Sequence, residues 1–274
     1  MSISRRGFLG RVGMGAAAVL AGAPVVRAAA QPIRLFNGKN LDGWYCYTPQ
    51  AKYENPGIFT VVDGMLRISG GSGDTAYYGG LITKQAFSNY KLTFDYKWGE
   101  PTYGRRKDKA RDSGVLLHAV GPNGPGPWMT SYEFQVIEGG TGDLLVVPCN
   151  GGMGDEGKLV NLELSAEIVT HGKAKIWHAG GEKTLFRGGR VDWYGRDPDW
   201  KDTVGFRGRE DVESKFGDWT HCEAICRGDT LEYRVNGKLV NKAFGLSVTR
   251  GKLLFQTEGA EIWYRDIVLA PLGG

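Results

Sequence analysis

The chain has 274 residues, 34 basic and 30 acidic, with 43 glycines, 8 tryptophans and 12 tyrosines. That length holds one large domain or two small ones. Arg5, Arg6, Arg11 and Arg27 all fall in the first thirty residues, which carry no acid, so the rest balances at 30 basic against 30 acidic. A neutral chain of this kind gives no electrostatic footprint for nucleic acid or for an anionic membrane surface.

The first thirty residues read as an address rather than as fold. Ser4-Arg5-Arg6-Gly7-Phe8-Leu9 has the form of a twin-arginine export signal. An apolar Gly/Ala-rich run from Val12 to Val26 follows, and Ala28-Ala29-Ala30 supplies small residues for cleavage. The run is too short for a membrane span, so the expected product is a periplasmic or secreted protein without a span after processing. Four cysteines remain: Cys46, Cys149, Cys222 and Cys226. On one strand, Cys222 and Cys226 would have Cα atoms about 13 Å apart, beyond the roughly 7 Å limit for a disulfide. A Cys46–Cys149 pair stays open. No His/Cys spacing points to zinc.

The mature chain, 31–274, reads as short strands and sharp turns. Ile58–Val62 and Met65–Ser69 flank Asp63-Gly64, a two-residue hairpin signal. Leu81–Lys84 is a short strand. In Tyr90–Trp98 the residues Tyr90, Leu92, Phe94, Tyr96 and Trp98 share one face, the pattern of a strand packed on a second sheet. Glu100–Arg111 is a polar basic loop, and Ser113–Val120 a strand carrying His118. The stretch Ser131–Asp143 follows. Tyr132, Phe134 and Val136 point one way, Glu133 and Gln135 the other. Glu138 breaks this alternation, and only a β-bulge near Ile137 would bring it beside Glu133 and Gln135. Gly139-Gly140-Thr141-Gly142 then frees the backbone to turn sharply.

From 148 to 217 the pattern loosens into what reads as a long insertion. Lys158–Leu164 and Ala174–His178 are short β-like runs, and Gly188–Gly217 is a loop rich in Trp and Tyr, read as folded over a cleft. Regular alternation returns in Thr220–Arg227 and Thr230–Val235 around Gly228-Asp229. Asn236-Gly237 then leads into Lys238–Phe244, followed by Lys252–Thr257 and Glu261–Leu269. Cys222, Ala224 and Cys226 share the tight core face. About a dozen strands without a long helix make an all-β sandwich of two antiparallel sheets, with late strands pairing with early ones.

Leu35-Phe36-Asn37-Gly38-Lys39-Asn40-Leu41-Asp42-Gly43-Trp44 resembles the opening signature of the 3-keto-disaccharide hydrolase domain family. Asn55–Gly64, Asp112-Ser113-Gly114-Val115, Tyr132-Glu133-Phe134-Gln135, Asp218-Trp219-Thr220, Val235-Asn236-Gly237, and Leu254–Gly259 through Tyr264–Ile267 look like it too. The resemblance runs from about Ile33 to Leu272. It implies a concanavalin-like jelly roll of two curved antiparallel sheets with a sugar-binding concave face. It also implies action on glycosides already oxidised at C3 by a partner sugar 3-oxidoreductase. The C3 ketone acidifies the C2 proton, a base removes it, the C1 substituent leaves, and water adds across the double bond. Such a site needs a base, a stabiliser for the enolate oxygen and an acid for the leaving group.

Glu133 is the first candidate for the base, with His118 as second choice or as the acid, and Glu138 as a further carboxyl if the bulge exists. Gln135 and Gln256 suit sugar hydroxyls, Trp200 a pyranose face, and Arg207, if its loop folds inward, the enolate. No cofactor is called for. Asp197, Asp199 and Asp202 offer oxygens to a divalent cation but lack the Asp-x-Asp-x-Asp-Gly calcium pattern. Two other readings compete. Glu133-x-Gln135-x-x-Glu138 looks like the Glu-x-Asp-x-x-Glu signature of jelly-roll β-glucanases, with Gln where the middle Asp should be. The same fold also serves non-catalytic carbohydrate-binding modules.

Overall fold

The structure is a computed structural model that describes residues 1, 31–124, 126–148 and 158–273. The export signal at 2–30 and the Cys46–Cys149 pair therefore lie outside the described residues. None of the described helices is long and apolar enough to cross a membrane.

The Tyr90–Trp98 stripe is where the two large sheets meet. Its strand runs on to Thr102, so part of the expected basic loop is strand; only Gly104–Arg106 forms a short 3-10 turn. Tyr90, Leu92, Phe94 and Tyr96 are fully buried. Phe94 stacks edge-on against Phe134 at 5.7 Å and Phe255 at 5.9 Å, both from the opposing sheet. Each such ring removes enough apolar surface from water to stabilise the fold by about 1.5–3 kcal/mol.

That strand is central in the first sheet. In spatial order the sheet is Lys238–Ala243, Thr230–Val235, Thr220–Arg227, Tyr90–Thr102, Ala260–Pro271, Met65–Ile68 and Phe59–Val62, with Ile33–Arg34 also paired to Ala260–Pro271. The second sheet runs Gly189–Val191, Leu144–Val147, Thr130–Ile137, Asp112–Val120, Lys252–Glu258, Tyr78–Thr83 and Trp44–Tyr47. Among the described residues every strand pairing within both sheets is antiparallel. Late strands sit between early ones in each sheet, the non-local order of a concanavalin-like jelly roll. The turns follow their residues: Asp63 and Gly64 both take positive φ, as do Asn236 and Gly237, the requirement of a type I′ hairpin. Cys222 and Cys226 lie in the core as free thiols.

The 158–217 segment differs from expectation. Its strands are Leu164–His171, Ala174–Trp177 and Glu182–Phe186, a small separate sheet, and Gly189–Val191 joins the edge of the second large sheet. Leu164, Ala166 and Ile168 are buried and alternate with Ser165 and Glu167, but Val169, Thr170 and His171 are exposed, so the apolar stripe is too short to stand out from periodicity. Residues 192–219 carry no strand and lie along the turn at 138–143, held there by contacts described below.

Candidate functional site

On the central strand, Tyr132, Phe134 and Val136 enter the core between the sheets. Glu133 and Gln135 face the other side. Opposite Glu133 lie Leu116 on one neighbour and Leu145 on the other, and Leu145 in turn faces Arg190. Opposite Gln135 lies Gly114. The absence of a side chain at Gly114 is what makes room: a Cβ there would stand 2.3 Å from Glu133 Oε1 and 2.7 Å from Gln256 Oε1. Glu133 and Gln256 therefore reach over the glycine from the strands on either side. Leu116, Leu254 and Ile82, with Tyr47 and Met129, form a separate apolar cluster on this same outer face.

Glu133 is only 4% exposed. Burial pushes its pKa up to about 8, repulsion by Glu258 adds to the rise, and Arg190 and a hydrogen bond from Gln256 pull it partly back. Glu258, two residues beyond Gln256 on its strand, is pushed up to about 7 by burial against the opposing pull of Arg106, Arg190 and Arg105. Two carboxyls with raised pKa thus stand on this face, and Glu258 is one cause of the rise at Glu133. Gln256 Oε1 is buried and lacks a hydrogen-bond partner among the described residues, which leaves an acceptor beside Glu133 unused by the fold.

The polar groups around the pair are fixed by ion pairs. Gln135 donates from Nε2 to Asp112 at 2.5 Å. Asp112 is ion-paired with Arg106, which also meets Asp202 at 3.1 Å and Glu258 at 3.5 Å. On the other flank, Asp143 is fully buried; it pairs with Arg190 at 2.9 Å and with Arg196, and accepts the Trp193 N–H at 2.8 Å. Two cavities are lined by residues tied to this network, though neither by Glu133, Gln135 or Gln256. One, of about 310 Å³, is lined by Tyr78, Arg105, Arg106, Lys109, Asp202 and Glu258. The other, of about 400 Å³, has His171, Asp192, Arg196, Asp197 and Trp200 on its walls. Asp192 there is pushed up to about 6 by burial and by Asp143.

The structure brings Glu133, Gln135 and Gln256 together and leaves other expected residues elsewhere. His118 is turned inward by a bulge in its own strand, where the register slips against both neighbours and His118 takes φ +50°. Its ring packs edge-on against Tyr90 at 5.5 Å and Tyr132 at 6.5 Å, with Nδ1 3.0 Å from Val248 O. It is 1% exposed, and burial lowers its pKa to about 4, so His118 is a neutral core residue away from Glu133.

Glu138 is also corrected. The register from Tyr132 to Ile137 is continuous, so the bulge that would have swung Glu138 round is absent. Its carboxylate pairs with Arg111 at 2.6 Å and accepts the N–H groups of Arg111 and Gly205, both at 2.9 Å. A buried carboxylate bound in this way is fully occupied. Arg207 donates to the carbonyls of Ser214 and Glu213 and pairs with Asp211, which shapes its own loop. Trp200 donates from Nε1 to Glu138 O and carries Arg196 over its ring at 4.6 Å, so it walls the larger cavity. The three loop aspartates do not converge: Asp197 and Asp199 pair with Arg209, and Asp202 with Arg106 and Lys109. Among the described residues no cluster of His, Cys, Asp or Glu has the arrangement to hold a metal ion.

Glu258, Arg190 and Arg106 join the site without having been singled out from the sequence. Glu258 shares parity with Gln256 and was legible. Arg190 lies in a three-residue edge strand, and Arg106 in a basic turn that reads as solvated.

The fold is a jelly-roll sandwich with buried carboxyls, Glu133 and Glu258, on the outer face of one sheet, and its family is that of carbohydrate-active hydrolases. The chain belongs to the 3-keto-alpha-glucoside-1,2-lyase-like domain family, whose model matches residues 31–270. Among solved structures it is similar to a putative glycosyl hydrolase from Parabacteroides distasonis, at 18% identity and TM-score 0.49 over 88% of this chain and 94% of that one. It is also similar to a β-glucanase from Bacillus licheniformis, at 12% identity and TM-score 0.43 over 88% and 97%. A protein of unknown function with a galectin-like fold from Bacillus subtilis matches at 14% identity and TM-score 0.44 over 89% and 96%. No curated protein sequence matches the chain.

Proposed function

We propose that the protein cleaves glycosides carrying a ketone at C3, by elimination followed by hydration. Glu133 takes the C2 proton, and the electron pair moves to the C3 oxygen as an enolate. The C1–O bond then breaks as the enolate re-forms the ketone, and the departing oxygen takes up a proton. Water adds at C1 and a proton returns to C2, so the sum is hydrolysis. Glu258 is the second carboxyl within electrostatic reach and suits delivery of the proton to the leaving group. Gln135 and Gln256 hold sugar oxygens. Arg190 is the cation nearest in effect to Glu133 and suits the developing negative charge.

The observation that carries this reading is the convergence of Glu133 and Gln256 over the bare backbone of Gly114, with Gln256 Oε1 left without a protein partner among the described residues and the Glu133 carboxyl raised to about 8. A base poised near neutral pH is what abstraction of a carbon-bound proton requires. The ketone must be installed beforehand, so the reading implies a sugar 3-oxidoreductase acting upstream; the expectation of an Arg5-Arg6 export signal supports siting both steps outside the inner membrane.

A conventional glycosidase is the second reading, and the Glu133–Glu258 pair is what favours it, since paired carboxyls also serve direct hydrolysis. The test is to incubate the purified protein with a glucoside and with its 3-keto derivative. The expected result is turnover of the ketone alone, reduced by a factor of about 10² to 10⁴ in Glu133→Gln. Turnover of the unoxidised glucoside alone would overturn the elimination mechanism.

A further inference from the structure

On the wall of the cavity beside Glu258 one basic side chain is left without an ion pair among the described residues. Three basic side chains, Arg105, Arg106 and Lys109, face two acids, Asp202 and Glu258. Arg106 is committed to Asp112, Asp202 and Glu258, and Lys109 shares Asp202 at 3.3 Å. Arg105 differs from both. Its guanidinium lies over the Tyr78 ring at 4.8 Å, it is exposed, and among the described residues no acid stands within ion-pair distance of it. Arg105 acts on Glu258 only at longer range, and burial pushes Glu258 toward its neutral form, with a pKa of about 7. The second cavity has the opposite balance, with Arg196 set against Asp192 and Asp197 and an indole wall from Trp200.

The two ends of the face are therefore unlike. A planar guanidinium held against an aromatic ring, with an ammonium across a cavity, matches an oxyanion. We propose that the Arg105–Lys109 cavity is a subsite for an anionic substituent, a carboxylate or a sulfate ester, on the sugar unit next to the one Glu133 acts on. The proposal rests on the reading of the Glu133 face as a glycoside site. Arg105 and Lys109 bind the substituent directly, and Arg106, tied to three strands and loops at once, holds the wall in place.

The test uses the full mature chain with Glu133→Gln, which leaves the ketone uncleaved, and measures binding by calorimetry. The probes are the 3-keto derivatives of maltose, of its uronic acid and of its 6′-sulfate. The expected result is that at least one charged probe binds about tenfold more tightly than the neutral one at low salt, the scale of one charge-assisted hydrogen bond. Whether carboxylate or sulfate gains more identifies the source of the anion. The preference should fall away in Arg105→Gln and shrink in about 0.5 M salt. It should persist in Lys238→Gln, a charge removal on the other sheet. Equal affinity for neutral and charged probes overturns the subsite, as does a preference that survives Arg105→Gln. Failure of all three probes to bind overturns the glycoside-site reading itself, and the subsite with it.

Discussion

Glu213 shows what a buried carboxyl does when it serves the fold. It accepts the Tyr96 hydroxyl and the Gly139 N–H, each at 2.7 Å, and so fastens the 192–219 loop to the turn after the central strand. Burial, with Asp211 nearby, pushes its pKa from 4.5 up to about 8. The folded state therefore favours the protonated form. That contribution to stability is fully present below about pH 4.5, where folded and unfolded chains are both protonated. It is lost as pH rises through about 8, because the unfolded chain releases its proton first. Glu133 and Glu258 act in the same direction. Glu213→Gln keeps an acceptor for the Gly139 N–H, while the Tyr96 hydroxyl can turn to Thr141, 3.0 Å away. Thermal melts should show wild type and variant alike at pH 4, with the variant more stable at pH 9 by roughly 1–3 kcal/mol. Coincident melts at pH 9 would show that the carboxyl is charged in the native state at no cost.

At the scale of the element, the strands with strict alternation were the legible ones. Tyr90–Trp98, Tyr132–Val136 and Cys222–Cys226 bury the faces their sequences assign, because in a sandwich each strand has one dry side and one wet or cleft side. Phe94→Ala removes the ring that touches Phe134, Phe255 and Tyr264. Denaturant unfolding should lose about 3–5 kcal/mol, and a loss below about 1 kcal/mol would mean that the core closes over the gap. The misplacements had one cause. A bulge changes which way a residue points without changing composition, so His118 had a hidden bulge and Glu138 lacked an assumed one. Periodicity sees neither. The site was legible for Glu133, Gln135 and Gln256, which lie on alternating strands. Arg190 and Arg106 come from an edge strand and a turn, where long-range placement alone makes a residue functional.

At the scale of the molecule, the order of strands in space has a consequence for how the protein comes into being. Lys252–Glu258 and Ala260–Pro271 are interior members of the two sheets, each with neighbours on both sides. A chain still attached to the ribosome has neither in reach until the last strands of this domain emerge, and until then both sheets have a gap at their middle. Such non-local pairing makes folding late and slow. A chain ending at Gly251 should show no cooperative unfolding transition and should expose its aromatic core to a hydrophobic dye; a cooperative melt would show that either half stands alone. Ile33 and Arg34 pair with Leu269 and Val268, so the first described strand of the sandwich closes on its last, and the domain stays an open particle until that strand zips in.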